Sequence, residues 1–242
     1  LEGGDCFART ISAKKKHRLE EKRVMFRSWP ALTAAFIFVS ISQAASITHT
    51  DNIPLMTTSW FESVVIPQFD PALGTLDSIE YAINGYIEGS VSYESLDSKP
   101  STLTLDFSAS LELGLPDSSK LILAAPLVTN IVSVGAFDGV IDFGGESGGV
   151  IDDISIADRV TFISAPPTTN ELDFFVGTED VAMSLDALGT SSGSGSGNLV
   201  LQFIQSASAF VEITYNYTAI PEPVTISLLI LPALMLRRKR RV

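Results

Sequence analysis

The sequence predicts an all-β fold: a single antiparallel β-sandwich ectodomain, flanked by an N-terminal signal helix and a short C-terminal membrane helix. Three observations predict it. "STLTLDFSASLELGL" alternates apolar and polar residues over a whole strand length. Turn signals rich in Gly, Pro, Asp and Asn punctuate residues 45–218, and no helical period of convincing length appears there. An apolar run stands near each end, and each is shorter than the roughly 20 residues that an ordinary membrane span needs.

Residues 1–24, including "AKKKHRLEEKR", are polar and basic without apolar periodicity. They read as an upstream extension of the reading frame, with initiation at Met25. From Met25 the chain runs "MFRSWPALTAAFIFVSISQAASI". Arg27 supplies a positive start, Ala31 to Ile41 an apolar core of 11 residues, and Ser42 and Ala44 the small residues that signal peptidase reads. Residues 25–44 are therefore expected to be a signal peptide, cut between Ala44 and Ala45.

The body, 45–218, reads as short strands. In the first, Leu103, Leu105, Phe107, Ala109, Leu111, Leu113 and Leu115 share one face, because a strand repeats every two residues. "AFVEITYNYT" places Val211, Ile213, Tyr215 and Tyr217 together, and "VAMSLDA" does the same for Val181, Met183 and Leu185. "SIEYAI" and "SVSY" read as shorter strands around Gly85 and Gly89, and "RVTFI", "LDFFV" and "NLVLQFI" as further ones. "DPALG", "LPDSS", "FDGV", "FGGESGG" and "APPTTN" read as turns between them. Many short strands, each with one polar face, argue for two antiparallel sheets packed together. "GTSSGSGSG", Gly189 to Gly197, reads as a long loop inside this domain.

Charge is unevenly spread. The chain's formal charge is −12, but residues 45–220 hold 23 acidic residues against Lys99, Lys120 and Arg159. A body this acidic repels phosphate backbones, so no nucleic-acid partner is expected. The one cysteine, Cys6, and one of the two histidines, His17, precede Met25, which leaves His49 alone in the body. Disulfide frameworks, cysteine metal sites and multi-histidine zinc sites are thereby excluded.

No phosphate-binding loop is present, the body holds no Cys/His pair, and nothing selects two carboxylates for glycoside hydrolysis. The expectation is a non-enzymatic protein. The densest acidic stretch, "FDGVIDFGGESGGVIDD", sets Asp138, Asp142, Glu146, Asp152 and Asp153 among glycines. Carboxylates on flexible turns are what Ca²⁺ selects, although the spacing fits neither an EF-hand nor a nonapeptide calcium repeat. These acids read as solvated turn residues of an acidic surface and no cofactor is expected; Asp138, Asp142, Asp152 and Asp153 are the Ca²⁺ candidates of the alternative reading. Tyr81, Tyr86, Tyr93, Tyr215 and Tyr217 read as strand residues covering the sandwich, with a sugar-binding face as the alternative.

The last stretch is "AIPEPVTISLLILPALMLRRKRRV", residues 219–242. Pro221 and Pro223 hold an extended segment around Glu222. Val224 to Leu236 is an uncharged run of 13 residues, about 20 Å as a helix against a hydrocarbon core of roughly 30 Å. Arg237, Arg238, Lys239, Arg240 and Arg241 follow and resist translocation. This order resembles the PEP-CTERM sorting tail of exosortase substrates. The resemblance implies export, a transient stop in the inner membrane, cleavage near Pro221–Pro223 by an exosortase, and delivery to the cell surface or extracellular matrix.

"FDPALGTLDSIEYAINGYIEGSVSYES", "GAFDGVIDFGGESG" and "SSGSGSGNLVLQFIQSASAFVEITYNY" together resemble the choice-of-anchor E domain, over 67–218. That family implies an ectodomain carried ahead of different surface anchors, and it supplies no catalytic residue. The expected partners are signal peptidase, an exosortase and extracellular polysaccharide. The expected role is structural or adhesive; the alternative is a surface module that binds glycan or Ca²⁺.

Overall fold

The computed structural model describes residues 43–220. The expected signal helix, the Pro221–Glu222–Pro223 motif, the membrane run and the basic cluster Arg237, Arg238, Lys239, Arg240 and Arg241 lie outside them. The described residues form ten strands and one short helix. In chain order these are β1 (Ala44–Thr57), β2 (Trp60–Pro67), β3 (Gly74–Ser95), β4 (Ser101–Gly114), β5 (Lys120–Ala124) and β6 (Leu127–Val134). Then come β7 (Gly148–Ser164), α1 (Thr169–Phe175), β8 (Asp180–Gly189), β9 (Ser192–Ser194) and β10 (Leu199–Ala219).

Every ladder between named strands is antiparallel. One sheet has the order β1-β10-β3-β7; the other has β2-β8-β4-β5, with β6 and β9 also on β4. β5 and β6 follow one another along one edge of β4, and β8 and β9 along the other. Pro126, which has no N–H to give to a ladder, stands between β5 and β6. Counting each broken pair as one strand leaves eight, in which the first pairs with the eighth, the second with the seventh, the third with the sixth and the fourth with the fifth. This is a long hairpin rolled into two sheets, the jelly-roll form of β-sandwich, which hides most of its sheet edges.

The core lies between the sheets. On β4, Leu103, Leu105, Phe107, Ala109, Leu111 and Leu113 are all buried, as the alternation predicts. They face Ile79, Tyr81, Ile83, Ile87 and Val91 of β3 and Ala207, Ala209, Val211, Ile213 and Tyr215 of β10. Burying each large side chain contributes about 1.5–3 kcal/mol. Phe107 and Phe203 meet across the two sheets with ring centroids 6.4 Å apart. Gln205, the one buried glutamine, crosses the same gap and donates from Nε2 to the Ser108 carbonyl at 3.0 Å.

Several expectations are corrected. "SIEYAI" and "SVSY" are parts of one strand of 22 residues, and "NLVLQFI" and "AFVEITYNYT" are parts of one of 21. The intervening glycines and serines interrupt the apolar pattern without breaking the ladder. β4 ends at Gly114, so Leu115 lies beyond it. "LDFFV" is not a strand: Leu172 to Phe175 close α1. Thr168 caps that helix by accepting from the Glu171 N–H, and the Glu171 carboxylate accepts from the Thr168 N–H, a complete capping box. The Gly189–Gly197 stretch is partly ordered into β9, and Asp97 holds its far end through the Gly197 N–H at 2.7 Å and the Ser196 hydroxyl at 2.8 Å.

The two ends of the described chain meet. Ala44 pairs with Thr218, and Ala45 with Tyr217. The Ala219 N–H donates to the Gln43 carbonyl at 3.0 Å, and the Ile220 N–H to the Leu73 carbonyl at 3.0 Å. Among the described residues no helix is long and apolar enough to cross a membrane.

Candidate functional site

Two places gather polar chemistry, and both depend on the pairing of β3 with β7. The first is a cleft on the outer face of that pair. The register slips between Gly89↔Ile154 and Val91↔Ile151, so Ser90 stands opposite both Asp152 and Asp153. This is a β-bulge, and it turns side chains away from the regular alternation. Asp153 takes a left-handed φ of 56°. Gly89 sits at φ 155°, and a Cβ there would overlap the Ile204 carbonyl oxygen, so no other residue fits without movement.

Tyr86, Glu88, Ser90, Asp152, Asp153 and Ser155 line the cleft. The Tyr86 hydroxyl donates to Glu88 Oε2 at 2.8 Å. That bond raises the Tyr86 phenol above its ordinary range; partial desolvation adds to it and Ser155 opposes it. The lining holds one aromatic ring, three carboxylates and two serine hydroxyls, and no basic side chain. Carboxylates accept hydrogen bonds and do not donate them. Such a surface suits a ligand that offers several hydroxyl donors beside a C–H face for the ring. It repels an anionic one.

The second place is the loop between β6 and β7. The Gly135 N–H bonds to the Glu146 carbonyl at 2.6 Å, the Gly148 N–H to Gly144 at 3.0 Å, and the Ser95 N–H to Ser147 at 2.9 Å. These bonds fold the loop over Glu94, which pairs with Gly148 in the ladder. Glu94 is fully buried. Its Oε1 accepts the Ser147 hydroxyl at 2.5 Å; its Oε2 has no hydrogen-bond partner.

The four Ca²⁺ candidates are therefore divided. Asp138 and Asp142 lie on the loop, while Asp152 and Asp153 lie on the bulge of β7, in the cleft. Among the described residues, no three His, Cys, Asp or Glu side chains converge closely enough to hold an ion by themselves. The two pairs stand apart because a strand begins at Gly148 and carries its later residues away from the loop.

The tyrosines are divided as well. Tyr81 and Tyr215 are fully buried, and Tyr93 and Tyr217 pack against the core. Tyr86 alone of the five stands in the cleft. Burial raises the Tyr81 phenol far above its ordinary range, helped by its 2.9 Å hydrogen bond to Glu171. Burial likewise raises Tyr215, whose hydroxyl donates to the Pro67 carbonyl at 3.0 Å.

Glu171 was missed as a structural residue, although Thr168-Thr169-Asn170-Glu171 carries the S/T-x-x-E pattern that marks a capping box. It is buried and accepts from Tyr81, from the Ser164 hydroxyl at 2.7 Å, and from the Thr168 N–H and hydroxyl, each at 2.8 Å. Burial alone would raise its carboxyl; these hydrogen bonds outweigh burial and hold it below the usual range. The group lies under α1 as a fixed support. Ala44 and Ala45, the expected signal cleavage pair, begin β1.

No protein-family model and no curated protein matches the chain. Among solved structures, it is similar to the infectious bursal disease virus VP2 subviral particle protein, at 13% identity and a TM-score of 0.22, over 84% of this chain and 49% of that one. A second similar structure is the T13 viral particle of the same virus, at 11% identity and a TM-score of 0.21, over 76% of this chain and 41% of that one. The chain thus spans half or less of the length of these capsid structures, and likeness at this level carries no functional argument.

Proposed function

We propose that this is an exported bacterial protein of the cell surface or extracellular matrix, processed by an exosortase, with a structural or adhesive role linked to exopolysaccharide. In this reading 25–44 is the signal peptide, 45–218 the choice-of-anchor E type ectodomain, and 219–242 the PEP-CTERM sorting tail. Signal peptidase, an exosortase and, transiently, the inner membrane are its partners. The reading assigns the chain no enzymatic step.

One observation lends most support. Gln43 and Ala219 are hydrogen-bonded neighbours, so the segments before β1 and after β10 depart from the same end of the β1–β10 pair. A body suspended from a membrane by its tail would then leave the other end of its long strands free. At 3.2–3.4 Å per residue, the 22-residue β3 reaches roughly 70 Å from that end.

The test separates the parts of the tail. Replacing Pro221, Glu222 and Pro223 with alanine should leave the membrane stop intact and abolish processing, so that full-length protein accumulates in the inner membrane. Replacing Arg237, Arg238, Lys239, Arg240 and Arg241 with serine should weaken the stop and release uncut chain. Fractionation with intact-mass measurement in the native host reads both. Wild-type trimming of the alanine variant would sink the sorting reading.

The alternative is a glycan- or Ca²⁺-binding surface module, and the cleft favours its glycan form. Its ring, hydroxyls and carboxylates suit a neutral polysaccharide, and it lies on the half of β3 remote from the joined ends.

A further inference from the structure

We propose that Glu94 and the loop from Gly135 to Gly148 form a binding site for one divalent cation of the calcium class. The inference deepens the cation-binding alternative and does not depend on export or on the tail. It starts from Glu94 Oε2, a carboxylate oxygen with no exposed surface and no hydrogen-bond partner among the described residues. A buried carboxylate is costly unless a counter-charge or donors compensate it. Among the described residues no basic side chain pairs with Glu94: the ion pairs there are Lys120 with Glu112 and Arg159 with Glu212.

The orphaned oxygen is aimed into the acidic loop. A Cβ added at Gly148 would overlap Glu94 Oε2 and would stand 2.9 Å from the Gly144 nitrogen. Glu94 therefore points at the Gly144–Gly148 turn. A Cβ at Gly144 would meet Asp142 Oδ1 at 3.2 Å, and one at Gly145 would overlap Asp138 Oδ2. Gly145 has a φ of 65°, in the left-handed region. Three carboxylates thus lie against the Gly144–Gly148 segment.

Ca²⁺ takes about six to eight oxygens at roughly 2.3–2.6 Å and tolerates irregular geometry; Mg²⁺ demands near-octahedral order. Glu94 supplies a fixed, buried ligand. Asp138 and Asp142 need only turn inward, and loop carbonyls and water would complete the shell. The three carboxylates do not share one point in this structure, so the loop would tighten on the ion.

The experiment follows thermal unfolding of the full chain after EGTA treatment, against added CaCl₂ or MgCl₂. The expected result is a midpoint that rises by several degrees with Ca²⁺, dependent on its concentration, with a smaller response to Mg²⁺. Glu94→Gln keeps the shape and removes the charge. It should lose the Ca²⁺ response and, in EGTA, melt no lower than wild type. If the variant does not fold, the double variant Asp138→Asn, Asp142→Asn carries the test, and its Ca²⁺ affinity should fall at least tenfold. An unmoved wild-type midpoint overturns the proposal. An undiminished response in Glu94→Gln, or in the double variant, overturns it by placing the ion elsewhere.

Discussion

The main-chain N–H of Ala219 donates to the carbonyl of Gln43 at 3.0 Å, so the described fold closes where it begins. Their ladder then runs from Ala44↔Thr218 down to Thr57↔Ser206. Cleavage between Ala44 and Ala45 removes only the first rung. We expect exported protein to begin at Ala45, read by Edman or mass analysis. A start at Met25 on surface material, or one deep within β1, would sink the assignment.

The Glu171 carboxylate should be worth more than a helix cap. Glu171→Ala leaves the buried Tyr81 and Ser164 hydroxyls without their acceptor. The expected cost is about 2–4 kcal/mol, from the loss of charged hydrogen bonds and the stranding of their donors. Tyr81→Phe removes one of these bonds and should cost about 1–2 kcal/mol. Urea unfolding of both variants provides the measurement.

The same group sets an acid limb. The Glu171 carboxyl is held below its ordinary value in the folded state, so folding favours its charged form. Its contribution is present above the ordinary glutamate value of about 4.3 and is lost as pH falls through the depressed folded value. Glu171→Gln should flatten the loss of stability below about pH 4 relative to wild type. An unchanged acid limb would show that the hydrogen bonds do not favour the charged form.

Gly89 and Gly139 make a matched pair. Both have positive φ, 155° and 101°. A Cβ at Gly89 would overlap the Ile204 carbonyl, whereas one at Gly139 meets nothing within 4 Å. Gly139→Ala should therefore cost only backbone strain, about 1 kcal/mol. Gly89→Ala should cost more, about 2–3 kcal/mol, and distort the bulge beside the cleft. Equal melting temperatures for the two variants would contradict the close approach.

Tyr86 should separate binding from stability. In a gel containing dextran the full chain should be retarded, and in one containing alginate it should not, because the cleft lining is acidic. Tyr86→Ala should abolish the retardation while leaving the melting temperature within a degree or two. Retardation by alginate alone would rule out the cleft as read.

Much of the fold was legible because its causes are local. The alternation of Leu103 to Leu113 requires a strand with one buried face, whatever its partners. Val181, Met183 and Leu185 were read correctly for the same reason. "LDFFV" misled because a short run of apolar and aromatic residues has no period of its own. Its helix is announced just before it, by the capping pair Thr168 and Glu171. The interior strands β3 and β10 carry small residues that interrupt the apolar pattern, and long ladders simply absorb them.

By itself the sequence determined an antiparallel β body with an acidic surface, set between two segments that read as addresses. Composition and period act on each stretch separately, so no partner was needed to read them. Only the tertiary structure decided which polar groups meet. Glu94 has the same outward parity as Glu88 and Tyr86, yet it is buried because the loop ending at Ser147 closes over it. On β3, Tyr81 has the inward parity and stands in the core while Tyr86 has the outward one and stands in the cleft; Tyr215 has the inward parity of β10. Asp138 and Asp142 part from Asp152 and Asp153 because β7 begins between them. Register and loop closure join residues far apart in the chain, and a pattern read along one strand carries no information about its neighbour.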